Sequence, residues 1–297
     1  MLFRSKDLTP ANQYNVDYSI LGGSRIEPLL RAIRLGMSGA GMNVESVKGE
    51  CNFGQHEIAF KYADALTTCD NHVIYKNGAK EISAQTGYAL TFMAKPNQKE
   101  GNSCHIHLSF RGLKDELVMA DDKDTEHGLS DVGRSFIAGQ LKHLRELSLL
   151  FAPNINSYKR YVPGSFAPTA IRWGRDNRTC ALRLVGHGPS LRLENRVPGG
   201  DVNPYLAVAA AIAAGLEGIK NKLQLEPAFA GNAYDSDSPR VPATMLEAQQ
   251  LWANSTFVKE VFGSEVQDHY TNMAQVELDA YGKAVTDWEL FRNFERF

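Results

Sequence analysis

Hydrophobic residues recur along the chain at two spacings, one typical of helices and the other typical of strands. Apolar residues three and four positions apart follow Ser24, which predicts a helix capped by Ser24 that ends near Gly39. The stretch HEIAFKY alternates apolar and polar side chains, as a half-buried strand does. The same two patterns predict strands at TFMAKP, CALRLV and LRLENRV, helices over residues 64–84, 130–150, 203–223 and the C-terminal third, and a surface segment at 224–242.

This order of predicted elements favours an α+β fold. The predicted strands carry polar faces and are separated by helices, so the helices would cover one side of a sheet whose other face is open and forms a site. The composition agrees, because 43% of the 297 residues are hydrophobic and 22% are charged, which is typical of a globular protein.

Charge, hydropathy and cysteine spacing argue against several classes of protein. The formal net charge is -2 and the Lys and Arg residues are scattered, which argues against a nucleic-acid partner. The longest apolar run, over residues 204–216, is too short to cross a membrane, and the N-terminus lacks the apolar core of a signal peptide. The four cysteines are far apart, which argues against a disulfide framework or a thiolate zinc site and fits a reducing cytoplasm.

Histidines occupy alternate positions in the segment GNSCHIHLSF. A strand would place His105, His107 and Ser109 on one face and apolar residues on the other. These imidazoles fit a metal or ligand site, or they are ordinary packed or surface side chains. The spacing alone does not decide which of the two histidines would bind a metal.

Two glutamates flank a Gly-containing turn in the segment GECNFGQHE. The end of one strand and the start of the next would bring the carboxylates of Glu50 and Glu57 face to face. Two carboxylates with an imidazole suit Mg²⁺ or Mn²⁺. The alternative is that both glutamates are solvated surface residues.

Alternation in LRLENRV places Arg192, Glu194 and Arg196 on one face of a strand. This row is either a surface ladder of ion pairs or part of a phosphate site. Further arginines favour the second interpretation, because phosphoryl transfer needs positive charge on several sides of the moving group. They are Arg160, Arg175, Arg178 and Arg183.

Six segments resemble, in order, the signature motifs of the glutamine synthetase superfamily's catalytic domain. They are GECNFGQHE, TFMAKP, EGNSCHIHLS, NSYKRYVPGSFAP, NRTCALR and LRLENRVPGGDVNPYLAVAAAIAAGL, and the resemblance extends from residue 8 to the end. RWGRDNRT and GHGPSLRLENR are most similar to the γ-glutamylpolyamine and γ-glutamylethanolamide synthetase branch. The resemblance implies one catalytic domain over residues 1–297, with a mainly antiparallel, curved sheet, an open active-site face and helices on the other side.

The resemblance also implies two divalent cations, Mg²⁺ or Mn²⁺, and a set of contacts for ATP and glutamate. Glu50 and Glu57 would bind one cation, and His105 and Glu194 would bind the second. The glutamate contacts would be Gly101, Arg160 and Arg196, with Arg160 and Arg196 holding its carboxylate or the phosphoryl group and Arg178 bridging glutamate and ATP. The nucleotide contacts would be Glu45, His107, Ser109, Arg183 and Arg192.

The implied reaction is attack of the glutamate γ-carboxylate on ATP, followed by attack of an amine on the γ-glutamyl phosphate. Glutamine synthetases commonly carry a Glu in the loop after the VPG motif, where this chain has Phe166. An aromatic ring cannot accept a proton from ammonium, which favours an amine with an alkyl body, such as a polyamine or ethanolamine. One alternative is an ordinary glutamine synthetase that uses ammonia. In that case Phe166 would simply pack the loop.

The family pattern includes an N-terminal β-grasp domain and an ExE strand with two metal ligands, and this sequence begins after both. Each cation position is therefore expected to lack one ligand. The chain is either the catalytic part of a longer ligase or a non-catalytic relative. A guanidino phosphotransferase is a third alternative, although one nucleotide-bound Mg²⁺ would not need so many protein ligands. Family members form stacked hexameric rings, so a homo-oligomer is expected, without nucleic acid or membrane as a partner.

Overall fold

The computed structural model describes residues 8–12, 14–15 and 17–296. These residues contain ten α-helices and six strands. The helices are α1 (Ile20–Gly39), α2 (Ala65–Gln85), α3 (Asp131–His143), α4 (Ser148–Phe151), α5 (Ile155–Tyr158), α6 (Pro204–Lys220), α7 (Met245–Ala253), α8 (Thr256–Phe262), α9 (Ser264–Lys283) and α10 (Asp287–Asn293). The strands are β1 (Val44–Gly49), β2 (His56–Phe60), β3 (Ile106–Leu108), β4 (Ala170–Arg175), β5 (Cys180–Val185) and β6 (Arg192–Asn195).

Helix α1 starts earlier than the apolar spacing predicts. Its N-cap is Ser19, whose hydroxyl accepts a hydrogen bond from the Gly22 N–H at 3.1 Å. The prediction that Ser24 caps the helix is wrong, because Ser24 lies inside the helix and its hydroxyl donates to the Ile20 carbonyl at 3.0 Å. The predicted end at Gly39 is confirmed.

Helices α1 and α2 share a core with the antiparallel pair β1 and β2. The HEIAFKY strand is confirmed as β2, and α2 follows with Asp64 as its N-cap. TFMAKP is not a strand. Its backbone groups form hydrogen bonds with loop residues and not with a neighbouring strand. The Ala94 carbonyl accepts from the Asn102 N–H, and the Lys95 N–H donates to the Asn156 side chain, both at 2.8 Å.

The main sheet contains four strands in the order β3, β6, β5, β4. The pairs β3–β6 and β6–β5 are antiparallel, whereas β5–β4 is parallel, so the sheet is mixed and only its first three strands match the predicted antiparallel arrangement. The register sets Glu194 opposite His107 on one side and opposite Arg183 on the other. Three polar side chains therefore form a row across three strands.

The opposite face of this sheet packs against helices. Leu182, Leu184 and Leu193 are fully buried in a cluster that also contains residues of α3, α4, α6 and α7. Helices α3 and α6 pack at glycines, since a Cβ on Gly139 would lie 2.1 Å from the Ala214 carbonyl oxygen. The predicted helix over 130–150 is interrupted after His143, whereas the one over 203–223 is confirmed as α6 with Asn203 as its N-cap.

The segment 224–242 covers the outer edge of β4. The Phe229 N–H donates to the Trp173 carbonyl and the Ile171 N–H donates to the Pro239 carbonyl, both at 2.8 Å. The segment is therefore more than a surface excursion, because it satisfies backbone groups of an edge strand. Among the described residues, no helix has both the length and the apolar character needed to cross a membrane.

Candidate functional site

The side chain of Glu194 is the centre of the polar row on the sheet. It is only 4% exposed, and its carboxylate receives Arg196 Nη1 at 2.8 Å and Arg183 Nη1 at 3.0 Å. His105 Nδ1 lies at 3.1 Å from the same carboxylate and His107 Nε2 at 3.8 Å. The sequence-predicted residues His105, His107, Arg183, Glu194 and Arg196 therefore lie together, and a buried ion cluster replaces the surface-ladder alternative.

Charge states in this cluster follow from burial and from these contacts. Burial alone would raise the pKa of Glu194, but the hydrogen bond with His105 and the charge of Arg196 lower it well below its usual range. Burial lowers the pKa of His105 to about 4, so its imidazole is neutral near pH 7. The Nδ1 atom of His105 faces the Glu194 carboxylate, whereas its Nε2 atom is buried and makes no hydrogen bond to any described atom.

The turn between β1 and β2, residues 50–57, carries the second predicted pair of ligands and is named here the carboxylate turn. Glu50 and Glu57 both contact Lys48 Nζ, at 3.4 Å for Glu50 and closer for Glu57. Burial and the charge of Glu57 raise the pKa of Glu50. Both carboxylates thus converge on one cation, the Lys48 ammonium, at the place where a divalent cation is expected.

Each predicted cation position brings two candidate ligands close to each other or to one shared partner. Across the described residues, no group of three or more His, Cys, Asp or Glu side chains is placed to hold a metal ion. Glu50 with Glu57, and His105 with Glu194, nevertheless supply the oxygen and imidazole donors that Mg²⁺ or Mn²⁺ accepts. The donor chemistry therefore fits such cations, provided that other groups complete their coordination.

Arg160 is buried without a carboxylate partner among the described residues. It is 1% exposed, and its guanidinium donates to Ser103 Oγ at 2.8 Å and to the Val197 carbonyl, while its Nε has no partner. Gly101 lies against it, since a Cβ there would be 2.6 Å from Arg160 Cγ and 2.6 Å from the Ala94 oxygen. A buried cation with a free N–H is suited to bind an anion.

The remaining predicted nucleotide contacts are more exposed and are not all brought together. Arg192 Nε donates to His107 Nδ1 at 3.3 Å, whereas Ser109 and Arg178 are exposed. Glu45 lines a groove of about 610 Å³ between α1 and β1, and none of the other predicted nucleotide contacts lines it. The structure therefore links Arg192 with His107 but does not join Glu45 to them.

The loop after the VPG motif presents Phe166 to solvent. The residue is 58% exposed, and its backbone has φ of +62°, a left-handed conformation that is strained for a bulky residue. Its carbonyl accepts a hydrogen bond from Arg196 Nη2 at 3.4 Å. This exposure does not favour the alternative that Phe166 packs the loop.

Sequence reasoning missed Lys48 and Asp176. Lys48 lies two positions before Glu50 and opposite Glu57 in the ladder, so alternation along the strand was a signal for it. Asp176 has φ of +51° and accepts from Arg183 Nε at 2.8 Å. No periodic pattern marks a single turn residue of this kind.

Comparisons with known proteins find relatives in both sequence and fold. A family model described as "Glutamine synthetase, catalytic domain" matches residues 4–293. The γ-glutamylethanolamide synthetase GlnA4 of Streptomyces coelicolor is 65% identical over 291 residues, which cover 98% of this chain and 62% of that protein. A glutamate–isopropylamine ligase of a Pseudomonas species is 38% identical over 293 residues, which cover 97% of this chain and 63% of that protein.

The fold has a close match among solved structures. A structure described as a GmaS/ADP complex superposes with a TM-score of 0.89 at 29% sequence identity, covering 97% of this chain and 68% of that one. The chain thus spans about 62% of the length of its 65% identical relative.

Proposed function

The chain belongs to the glutamine synthetase catalytic-domain family, and from this premise we propose that it is the catalytic domain, over residues 1–297, of an ATP-dependent ligase. The ligase joins the γ-carboxylate of glutamate to an amine through a γ-glutamyl phosphate. The polar face of the sheet is its open active-site face. The observation that carries this proposal is the buried Glu194 cluster, which combines an ionised carboxylate, a neutral imidazole and two guanidinium groups.

This cluster has the chemistry that a carboxylate and a triphosphate need in order to approach each other. Both reactants are anions, so positive charge must be held in place before they meet. Glu194 fixes Arg183 and Arg196 by ion pairs of 3.0 Å and 2.8 Å, which orients their remaining N–H groups without further reorganisation. In this proposal Arg196 holds glutamate or the phosphoryl group, and Arg183 holds ATP phosphates.

The other arginines divide between the two substrates. Arg160, which is buried without a carboxylate, would hold the glutamate carboxylate beside Gly101. Arg178 would bridge glutamate and ATP, and Arg192 would hold ATP phosphates while His107 orients its guanidinium. Glu45, His107 and Ser109 would contact the nucleotide.

Two cations, Mg²⁺ or Mn²⁺, would lie between Glu50 and Glu57 and between His105 and Glu194. When bound, they would neutralise charge on the triphosphate and on the transferred phosphoryl group. The Lys48 ammonium now occupies the position between the two carboxylates of the carboxylate turn, and its side chain is only 28% exposed. A cation that binds these carboxylates would therefore have to displace Lys48.

Two observations favour an amine with an alkyl body, probed here as ethanolamine or a polyamine. The 65% identical relative is named a γ-glutamylethanolamide synthetase, and one of the 38% identical relatives is named a glutamate–isopropylamine ligase. Phe166 is an exposed aromatic residue whose backbone carbonyl accepts from Arg196. Use of ammonia is the second candidate, because a 38% identical relative of Methanosarcina mazei is a glutamine synthetase. The family match argues against the guanidino phosphotransferase alternative; cytoplasmic location and ring assembly stay predictions.

Phosphate release tests the proposed function. In the whole ligase of which this chain is proposed to be the catalytic domain, with ATP and Mg²⁺, we expect release to require glutamate and ethanolamine together, because the γ-glutamyl phosphate turns over only when an amine attacks it. Each omission should return the rate to background in a coupled phosphate assay. Release that ignores glutamate would indicate a simple ATPase, and no release with any amine would favour the non-catalytic alternative.

Mn²⁺ is expected to raise the thermal unfolding temperature of the wild type, because a native-state ligand at 100 times its Kd stabilises by about 2.7 kcal/mol. Glu50→Gln keeps the side-chain size but removes one charge of the carboxylate turn, so the shift should fall by at least about half. Calorimetry with and without Mn²⁺ measures the shift of the unfolding temperature in the wild type and in Glu50→Gln. Glu81→Gln, at an exposed position on α2, is the matched control and should keep the full shift. Equal shifts in all three proteins would show that Mn²⁺ does not bind at Glu50.

A further inference from the structure

Two hydrogen-bonded bridges join the carboxylate turn to residues 97–102, named here the glycine loop because it contains Gly101. In the first bridge, Asn52 Nδ2 donates to Asn97 Oδ1 at 3.0 Å and to the Glu100 carbonyl at 2.5 Å. Asn97 Nδ2 donates back to Asn52 Oδ1 at 3.2 Å. The two amides are thus paired in both directions, across 45 positions of sequence.

The second bridge starts from Gln55. Its Nε2 donates to the Gly101 carbonyl at 2.9 Å and to Asn102 Oδ1 at 2.7 Å. Asn102 is itself fixed, because its N–H donates to the Ala94 carbonyl at 2.8 Å and its carbonyl accepts from the Gly200 N–H at 3.0 Å. Gln55 therefore connects the carboxylate turn to the residue whose missing Cβ makes room for Arg160.

Both bridges start from the backbone that carries Glu50. The Glu50 N–H donates to the Gln55 carbonyl, and the Gln55 N–H donates to the Asn52 carbonyl, each at 3.0 Å. Gln55 Oε1 also accepts from the Asn52 N–H at 3.2 Å. Asn52 is 2% exposed, so its amide cannot exchange these partners for water at low cost. Hydrogen bonds therefore run without a break from the backbone of Glu50 to the glycine loop.

We propose that Asn52 and Gln55 are positioning residues that couple cation binding at the carboxylate turn to the order of the glycine loop. With a cation in place of Lys48, Glu50 and Glu57 would be held in one geometry, and the two bridges would make the existing position of Gly101 beside Arg160 better ordered for glutamate. The coupling deepens the proposed function and rests on it. It is energetic linkage through a contiguous set of hydrogen bonds between two distinct sites.

Amide hydrogen exchange tests this coupling with Mn²⁺ alone as the probe. The Lys99 N–H, which donates to Asn97 Oδ1 at 2.9 Å, and the Asn102 N–H report on the glycine loop. In the wild type, saturating Mn²⁺ should slow exchange of the peptide over 97–102 by at least about fivefold, the lower end of typical couplings. Gln55→Met should bind Mn²⁺ within about twofold of the wild type, measured by paramagnetic resonance, yet lose the slowing.

Two further variants keep the test specific. Asn97→Ala breaks the first bridge from the exposed side of the glycine loop and should also lose the slowing, read here from the Asn102 N–H because the Lys99 N–H loses its acceptor, so it replaces Gln55→Met if that variant has no thermal transition. Gln98→Met changes an exposed amide of the same loop that makes no side-chain hydrogen bond to a described residue, and it should keep the slowing.

The possible results separate the coupling from the ligase proposal. Slowing that persists in Gln55→Met and Asn97→Ala overturns the coupling, and so does a wild type that binds Mn²⁺ without slowing. Neither result touches the phosphate-release assay. A wild type that binds no Mn²⁺ at all overturns the proposed cation sites and the coupling together.

Discussion

Glu194→Ala is expected to lower the free energy of unfolding by about 3–5 kcal/mol, the cost of removing one partner from a buried ion pair. The substitution leaves the guanidinium groups of Arg183 and Arg196 without the carboxylate that now lies within 3.0 Å of each. Arg196 is 5% exposed, so water cannot replace the lost partner. Denaturant unfolding at neutral pH, monitored by tryptophan fluorescence, measures the change.

A matched control separates burial from charge. Glu27 on α1 also contacts two arginines, Arg31 at 3.3 Å and Arg34 at 2.5 Å, but its side chain is 32% exposed. Glu27→Ala should cost less than about 1 kcal/mol, as exposed ion pairs do. Similar losses in Glu27→Ala and Glu194→Ala would show that the Glu194 cluster is no more than a surface ladder.

Glu194→Gln distinguishes the charge of the carboxylate from its shape. The amide keeps an oxygen that can accept from Arg196 or Arg183, but it cannot neutralise them, so most of the loss should remain. A Gln variant as stable as the wild type would assign the stability of the cluster to hydrogen bonding alone.

The strands show where sequence patterns succeed and where they fail. HEIAFKY, CALRLV and LRLENRV were predicted because one face is buried and the other polar, which produces alternation. Strand β4 was missed because most of its residues, on both faces, are buried, and a parallel strand buried on both faces does not alternate. TFMAKP has strand-like composition, but its backbone partners are loop residues distant in sequence, which no local pattern encodes.

The residues of the site were predicted one strand at a time. Which of them lie together depends on the register in which the strands pair. Alternation placed Arg192, Glu194 and Arg196 on one face, but only the pairing of β3, β6 and β5 sets His107 and Arg183 on either side of Glu194. The burial of Arg160 could not be predicted, because an Arg in a loop is usually exposed. Its burial depends on Gly101, which lies 59 positions earlier in the chain.

Phe166→Glu is expected to shift the proposed ligase from its proposed preference for ethanolamine toward ammonium by at least about tenfold. In the wild type, two methylene groups resting on the exposed ring would contribute about 0.8 kcal/mol each, which is roughly tenfold in kcat/KM, and ammonium has no methylene to place there. The substitution removes the apolar surface of the ring, and the new carboxylate supplies a negative charge and a proton acceptor for ammonium. The ratio of phosphate-release rates with the two amines measures the shift.

The expected shift depends on the position of Phe166 in its loop and not only on the added charge. Val162 lies in the same loop and is 48% exposed, so Val162→Glu adds the same carboxylate away from the Phe166 carbonyl that Arg196 contacts. We expect Val162→Glu to keep the wild-type preference for ethanolamine. A wild type that turns over ammonium as fast as ethanolamine would reject the alkyl-amine proposal and leave an ordinary glutamine synthetase. Equal shifts in Val162→Glu and Phe166→Glu would instead show that a carboxylate added elsewhere in the loop changes the preference as much, and that the aromatic ring does not select the amine.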